Sequence, residues 1–251
     1  MNENQYMKAM ECIEISPETK YRILTKSMQA KQNKERYSMM SKKKIGLIAV
    51  TAAMILGITV FATRGIISNW YSSSSSGPDY NALPTAEQAI NDASYAPILI
   101  ESFGNGYVFE DGRVVENELN DEQNNSIEQF KSFDFSYEKD GDVVTLSQGK
   151  YHSEMPQGGT LISSENGTDI YFMGYTNKIV PPNYKLTEED KKAEQNGELV
   201  FSYGSDNVMI SEINAISWNV DDMHFNLMQI DGKLSIDALV QMANDIISQN
   251  K

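Results

Sequence analysis

The chain is 251 residues long, with 21 Lys/Arg against 35 Asp/Glu for a net charge of −14, two histidines and one cysteine. The lone Cys12 excludes an intramolecular disulfide, so any folded part is held by its core alone. The charge is split: residues 1–44 carry ten basic and five acidic side chains, a net +5, and the eleven basic and thirty acidic ones that follow leave −19, the wrong sign for direct binding to nucleic acid by counterion release.

In chain order, the basic N-terminal segment predicts two short helices. The first covers about Asn4 to Cys12 with Tyr6, Met7 and Met10 apolar. Ser16 then reads as an N-cap, with Pro17 at the first helical position and Glu18 in the first turn. The second helix runs to about Lys31, placing Tyr21, Leu24 and Met28 at spacings of three and four. So short a segment buries little by itself. It is either an amphipathic element that closes on a partner, with Tyr6, Met10, Tyr21, Leu24 and Met28 as the contact residues, or a frayed juxtamembrane tail.

From Ile45 to Thr63 there are nineteen residues without a charge. At ~1.5 Å of rise each, a helix of that length covers roughly 28 Å, close to the ~30 Å hydrocarbon core of a bilayer. Ile45, Leu47, Ile48, Val50, Ile55, Leu56, Ile58, Val60 and Phe61 are strongly apolar. At about −0.3 to −0.6 kcal/mol each they favour insertion by roughly −3 to −5 kcal/mol. The stretch has no polar face, as a soluble core helix would. A cleaved signal peptide fits less well, because forty-four residues precede a run of full span length. Lys42, Lys43 and Lys44 abut the run and Arg64 stands alone beyond it, so the N-terminus is expected in the cytoplasm and the rest outside the cell membrane. Trp70 and Tyr71 lie where an outer aromatic belt would sit, and Ala53-x3-Gly57 is a small-residue pair suited to helix pairing.

Beyond the span, "YSSSSSGPDYNALP" reads as a flexible serine-rich linker, giving the organisation 1–44 cytoplasmic, 45–63 transmembrane, 64–83 linker and 84–251 extracytoplasmic domain. Thr85 can cap a helix reaching Ala93, with Glu87 and Gln88 in its first turn. The period then becomes strand-like in "ILIESF", "GYVFEDGRVVE", "FDFSYEKDGDVVTLSQ", "TDIYFMGYT" and "GELVFSYGSDNVMISE". EKDGD at 138–142 and GSDN at 204–207 predict hairpin turns. Phe133, Phe135 and Tyr137 alternate with polar residues as on a half-buried strand, and Thr187-Glu188-Glu189-Asp190 resembles a capped short helix. The last forty residues predict strand, Asp-Asp turn, strand, Asp-Gly turn and a helix capped by Ser235, its apolar face made of Ile236, Leu239, Val240, Ala243, Ile246 and Ile247. The expected fold class is α+β: a single transmembrane helix, then an antiparallel sheet with helices on one face, including a packed C-terminal helix.

"ISWNVDDMHFNLMQIDGKLSIDALVQMANDII" resembles the C-terminal unit of exported domains in Gram-positive single-pass membrane proteins of the anti-sigma-factor-like type. Trp218, Phe225, Gly232, Leu234, Ser235, Leu239 and Ala243 match its strand, turn, strand and "LS-x-(D/E)-x-L-x-x-(M/I)-A" helix. "FGNGYVFEDGRVVENELNDE" and "FSYEKDGDVVTLS" are similar to upstream strands of that group, and "NQYMKAMECIEISPETKYRILTKS" to its cytoplasmic segment. The resemblance implies membrane-tethered regulation, with the cytoplasmic part holding an extracytoplasmic-function sigma factor until a ligand or partner is sensed outside. One feature departs from the pattern. Many anti-sigma domains carry a His-x3-Cys-x2-Cys zinc motif, and Cys12 has neither a second cysteine nor a nearby histidine.

Catalytic constellations are scarce. A Ser-His-Asp set needs His152 or His224, both in strand-like stretches, and no Gly-x-Ser-x-Gly elbow is present. Glu116, Glu118, Asp121 and Glu122 lack the loop spacing of a calcium site and read as a solvated face. The expectation is therefore a non-enzymatic protein with no cofactor and no metal.

Overall fold

The computed structural model describes residues 69–75, 77–121, 125–152, 158–165, 167–181, 183–196, 198–203 and 205–249. The cytoplasmic helices, with Tyr6, Met10, Tyr21, Leu24 and Met28, and the span at 45–63 lie outside the described residues. Among the described residues no helix is long and apolar enough to cross a membrane.

The described chain builds one mixed, mostly antiparallel nine-stranded sheet with three helices. In chain order the elements are β1 (Asn69–Ser74), α1 (Ala86–Ala93), β2 (Val108–Asn120), β3 (Ser126–Lys139), β4 (Asp142–Lys150), β5 (Thr160–Glu165), β6 (Thr168–Val180), α2 (Glu188–Gln195), β7 (Leu199–Tyr203), β8 (Met209–Val220), β9 (Met223–Ile230) and α3 (Ile236–Gln249). Across the sheet the order is β1-β2-β3-β4-β9-β8-β6-β5, and β7 shares the outer edge of β6 with β5.

Local chemistry accounts for the helix ends. Thr85 accepts from the Gln88 backbone N–H while the Gln88 side chain accepts from the Thr85 N–H, a reciprocal capping box for α1. Thr187 and Asp190 do the same for α2. Ser235 Oγ accepts from Ala238 N at 3.2 Å and caps α3 as expected.

The main core lies on one face of the sheet; a second, smaller cluster of Ile179, Ile213, Ala215 and Met228 is buried on the opposite face. Phe133, Phe135 and Tyr137 of β3, Leu146 of β4, Trp218 of β8 and Phe225 and Leu227 of β9 are all buried in the main core, against Leu239, Met242, Ala243, Ile246 and Ile247 of α3. Each large α3 side chain so buried contributes about 1.5–3 kcal/mol. Ile236, expected on the apolar stripe of α3, is instead exposed, and Met242 takes part in its place. Trp218 stacks on Phe225 with ring centroids 5.4 Å apart. Ala89 of α1 joins the same cluster, and α2 is tied to that face by the Asp190–Lys178 ion pair at 2.8 Å.

Four expectations need correction. The serine-rich segment is not wholly a linker: Asn69–Ser74 forms β1, paired in register with β2 from Asn69↔Asn120 to Ser74↔Val115. Serine carries no strand signal of its own, and β2 supplies the template. The chain is then clamped again, because Asp79 N and Tyr80 N both donate to Gly112 O and Gly112 N donates back to Tyr80 O. Gly112 permits this approach, since a Cβ there would come within 3.2 Å of the Tyr80 ring and 2.8 Å of the Phe135 ring.

Second, "ILIESF" is irregular rather than a strand. At its start the partner is a side chain, the Gln148 amide, which accepts from Ile98 N at 2.8 Å and donates to Ile98 O at 2.9 Å; at its end only an isolated bridge, Ser102↔Val108, forms. Third, GSDN makes no hairpin, because β7 and β8 lie on opposite edges of β6. Fourth, the sheet is not purely antiparallel. α2 carries the chain from β6 to β7 as a crossover, which leaves β7 parallel to β6.

Candidate functional site

The helices cover one face, and the other face carries the polar chemistry. Directly paired residues of neighbouring strands point to the same side of a sheet. The register Arg113↔Asp134, Asp134↔Ser147, Ser147↔Asn226, Asn226↔Ser217 and Ser217↔Tyr171 therefore draws one polar row across six strands. These residues are the other half of the alternation that buries Phe133, Phe135 and Leu146.

Asp134 is the centre of the row. It is 7% exposed, and burial raises its pKa above the usual aspartate value. Two contacts oppose that rise: Ser147 Oγ donates to Asp134 Oδ1 at 2.6 Å, and Arg113 lies opposite on β2. Arg113 is itself held by Asp111, with nitrogen–oxygen distances of 3.1 and 3.4 Å. A neighbouring set adds Asn117, whose amide donates to Ser132 Oγ at 2.9 Å and accepts from Ser72 Oγ of β1 at 2.6 Å.

One row along, the structure brings the two histidines of the chain into each other's field. His224 on β9 pairs with Gly149 of β4 and Asn219 of β8. Its Nδ1 lies 2.7 Å from Asn219 Oδ1, an acceptor, so Nδ1 carries the proton and Nε2 presents a lone pair. Burial, and secondarily the neighbouring His152, lower its pKa to about 4. His152 packs its ring on Phe130 at 4.7 Å, with Nδ1 3.8 Å from Glu128 Oε2. Lys150 Nζ bonds the other Glu128 oxygen at 2.6 Å and is the main reason the Glu128 pKa is lowered. His224 is thus oriented by an amide, where a catalytic triad would place a carboxylate.

At the opposite end of the strands a cavity of about 220 Å³ opens between the β3–β4 turn and the β9–α3 connection. Tyr107 Oη donates to Asp142 Oδ2, and Lys233 N donates to the same oxygen at 3.2 Å. Lys139 Nζ reaches across to Asn105 O at 2.6 Å. Burial first, and then the Asp142 carboxylate, raise the Tyr107 pKa, so this phenol acts as a fixed donor.

Of the residues weighed from sequence, His152 and His224 come together, and Asp121 is absorbed in its own turn by Asn125 N at 2.8 Å and Asn125 Nδ2 at 2.9 Å. Among the described residues no group of three or more His, Cys, Asp or Glu is placed to hold a metal ion. Arg113, Asp134 and Ser147 were not singled out by sequence, although alternation with Val114, Phe133 and Leu146 was the available signal. In comparisons with known proteins, no family model, no curated protein and no solved structure matches this chain.

Proposed function

We propose that this chain is a single-pass membrane regulator of the anti-sigma-factor-like kind. Residues 1–44 hold an extracytoplasmic-function sigma factor through Tyr6, Met10, Tyr21, Leu24 and Met28, residues 45–63 cross the cell membrane, and the exported sheet binds a ligand or partner. What carries the reading is one juxtaposition: an uncharged, span-length run with lysines on one side stands five residues before the first described strand. The reading that the exported part acts by binding is supported by His224, Asp134 and Lys178, which are tied to an amide, a hydroxyl and a carboxylate.

The test is co-purification of the full-length chain from detergent extract at low salt, where charge contacts are least screened. A sigma factor is expected with the parent and lost in Leu24→Asp/Met28→Asp. Recovery of none with the parent contradicts sigma binding. The second reading, favoured by the polar row Arg113–Asp134–Ser147, is a tethered binding or assembly module whose tail serves insertion only. Under that reading, replacing residues 1–40 by an unrelated basic tail leaves function intact.

A further inference from the structure

The sheet has two ends, and the register fixes which of them the membrane-side chain reaches. β1 starts at Asn69, opposite Asn120, and Asn120 pairs with Ser126. The same end holds Lys150↔Met223, Val220↔Met223 with the Asp221–Asp222 turn between them, and Glu165↔Thr168. The other end holds Lys139↔Asp142, Met209↔Ile179, and the cavity beside Lys139 and Lys233. Strands such as β2, with 13 residues, separate the two ends by roughly 40 Å at ~3.3 Å per residue.

On the reading that residues 45–63 span the bilayer, little chain is left to separate the sheet from the lipid. Thr63 and Asn69 are six peptide steps apart, at most about 20 Å when fully extended. The headgroup layer takes up roughly 5–8 Å of that. A twelve-residue coil from Tyr71 onward would allow the domain to wander, but β1 and the Tyr80–Gly112 clamp remove that slack. Exposed Ile127 and Tyr151 lie at this near end. Lys150 at this end is already paired with Glu128, and Asp121, Asp221 and Asp222 add negative charge there, so charge does not draw the end to anionic lipid, and the net −19 beyond residue 44 pushes the rest of the domain away from such a surface.

We infer that the sheet stands end-on against the outer lipid surface, with the end that carries Asn69, Asn120, Ser126 and the Asp221–Asp222 turn facing the headgroups. The end bearing Lys139, Lys233 and the 220 Å³ cavity is then presented outward, away from the lipid. This inference rests on the membrane-span reading. The contact is imposed by the tether, so raising the salt concentration does not release it.

The experiment uses the full-length chain with Cys12→Ser and one dye-labelled cysteine, at Asp221→Cys or Asp140→Cys. The protein is reconstituted in phosphatidylcholine–phosphatidylglycerol vesicles carrying an acceptor dye on the headgroups. Energy transfer from position 221 is expected to exceed that from 140 by roughly twofold or more, given ~40 Å between the two ends. A flexible Gly/Ser insert of about twelve residues between Ser68 and Asn69 should lower transfer from 221 towards the value at 140. Equal or inverted transfer in protein that floats with the vesicles overturns the end-on placement and leaves the span reading intact. Protein that fails to float overturns the span reading, and the placement falls with it.

Discussion

Strand β3 carries both halves of the molecule in alternate residues, and comparing them shows how the fold divides its work. Phe133, Phe135 and Tyr137 point towards α1 and α3 and are fully buried. Ser132, Asp134 and Ser136 point the other way, to the face that carries Arg113, Ser147 and His224. The first face is held by apolar area, which is insensitive to pH and adds up residue by residue. The second adds a smaller apolar cluster, Ile179, Ile213, Ala215 and Met228, to hydrogen bonds and one buried carboxylate, polar groups that each gain little net free energy and are costly to leave unpaired. One backbone thus supports a largely apolar side and a side on which polar groups are buried in pairs.

The sharpest way to separate them is to cut the same strand on each side. Phe135→Ala removes a ring that contacts Phe133 at 5.5 Å and Phe109 at 5.8 Å, and should cost about 3–5 kcal/mol in urea unfolding of the full-length chain in detergent. A loss below about 1 kcal/mol would mean that the helix-covered face is not the core.

Next in size are the pH effects, which belong to the polar face and have opposite signs. Folded His224 protonates only near pH 4, against an ordinary value of 6.5. Its contribution is complete above pH 6.5 and is lost by roughly 1.4 kcal/mol per unit as pH falls towards 4. His224→Gln should flatten the stability profile in that window, whatever it does to stability at neutral pH. Asp134 runs the other way, because its folded pKa is raised: stability is greatest below the ordinary value of 3.8 and declines as pH rises through the folded value. Asp134→Asn is therefore expected to be neutral or stabilising at pH 7, by about 1 kcal/mol or less. If both variants leave the profile unchanged, the polar face is not the seat of the pH response.

Legibility in the sequence followed the same division. The apolar alternation of β3, the capping residues Thr85, Thr187 and Ser235, and the α3 stripe all announce themselves, because periodicity and caps are local signals. The Asp140–Gly141 hairpin was equally plain, and both residues adopt positive φ, 51° and 78°, as a two-residue turn of that kind requires. β1 was hidden because its pairing is supplied by β2, and its serines carry no alternation of polarity. The Ile98 segment has the composition of a strand, but Gln148 takes the place of a strand partner at Ile98 and only an isolated bridge forms at Ser102. The parallel β7 had a signal in the strand–helix–strand order around Thr187, but pairing across β6 is a long-range fact. The polar row was invisible for a related reason. Arg113, Asp134, Ser147 and Asn226 are far apart in sequence and meet only through register.

The two-compartment placement is tested most directly by thiol labelling of intact cells with a membrane-impermeant maleimide. In the Asp140→Cys chain, the account predicts rapid reaction at position 140, while Cys12 reacts only after the membrane is permeabilised. Reaction at Cys12 in intact cells, or protection of position 140 until lysis, would contradict it.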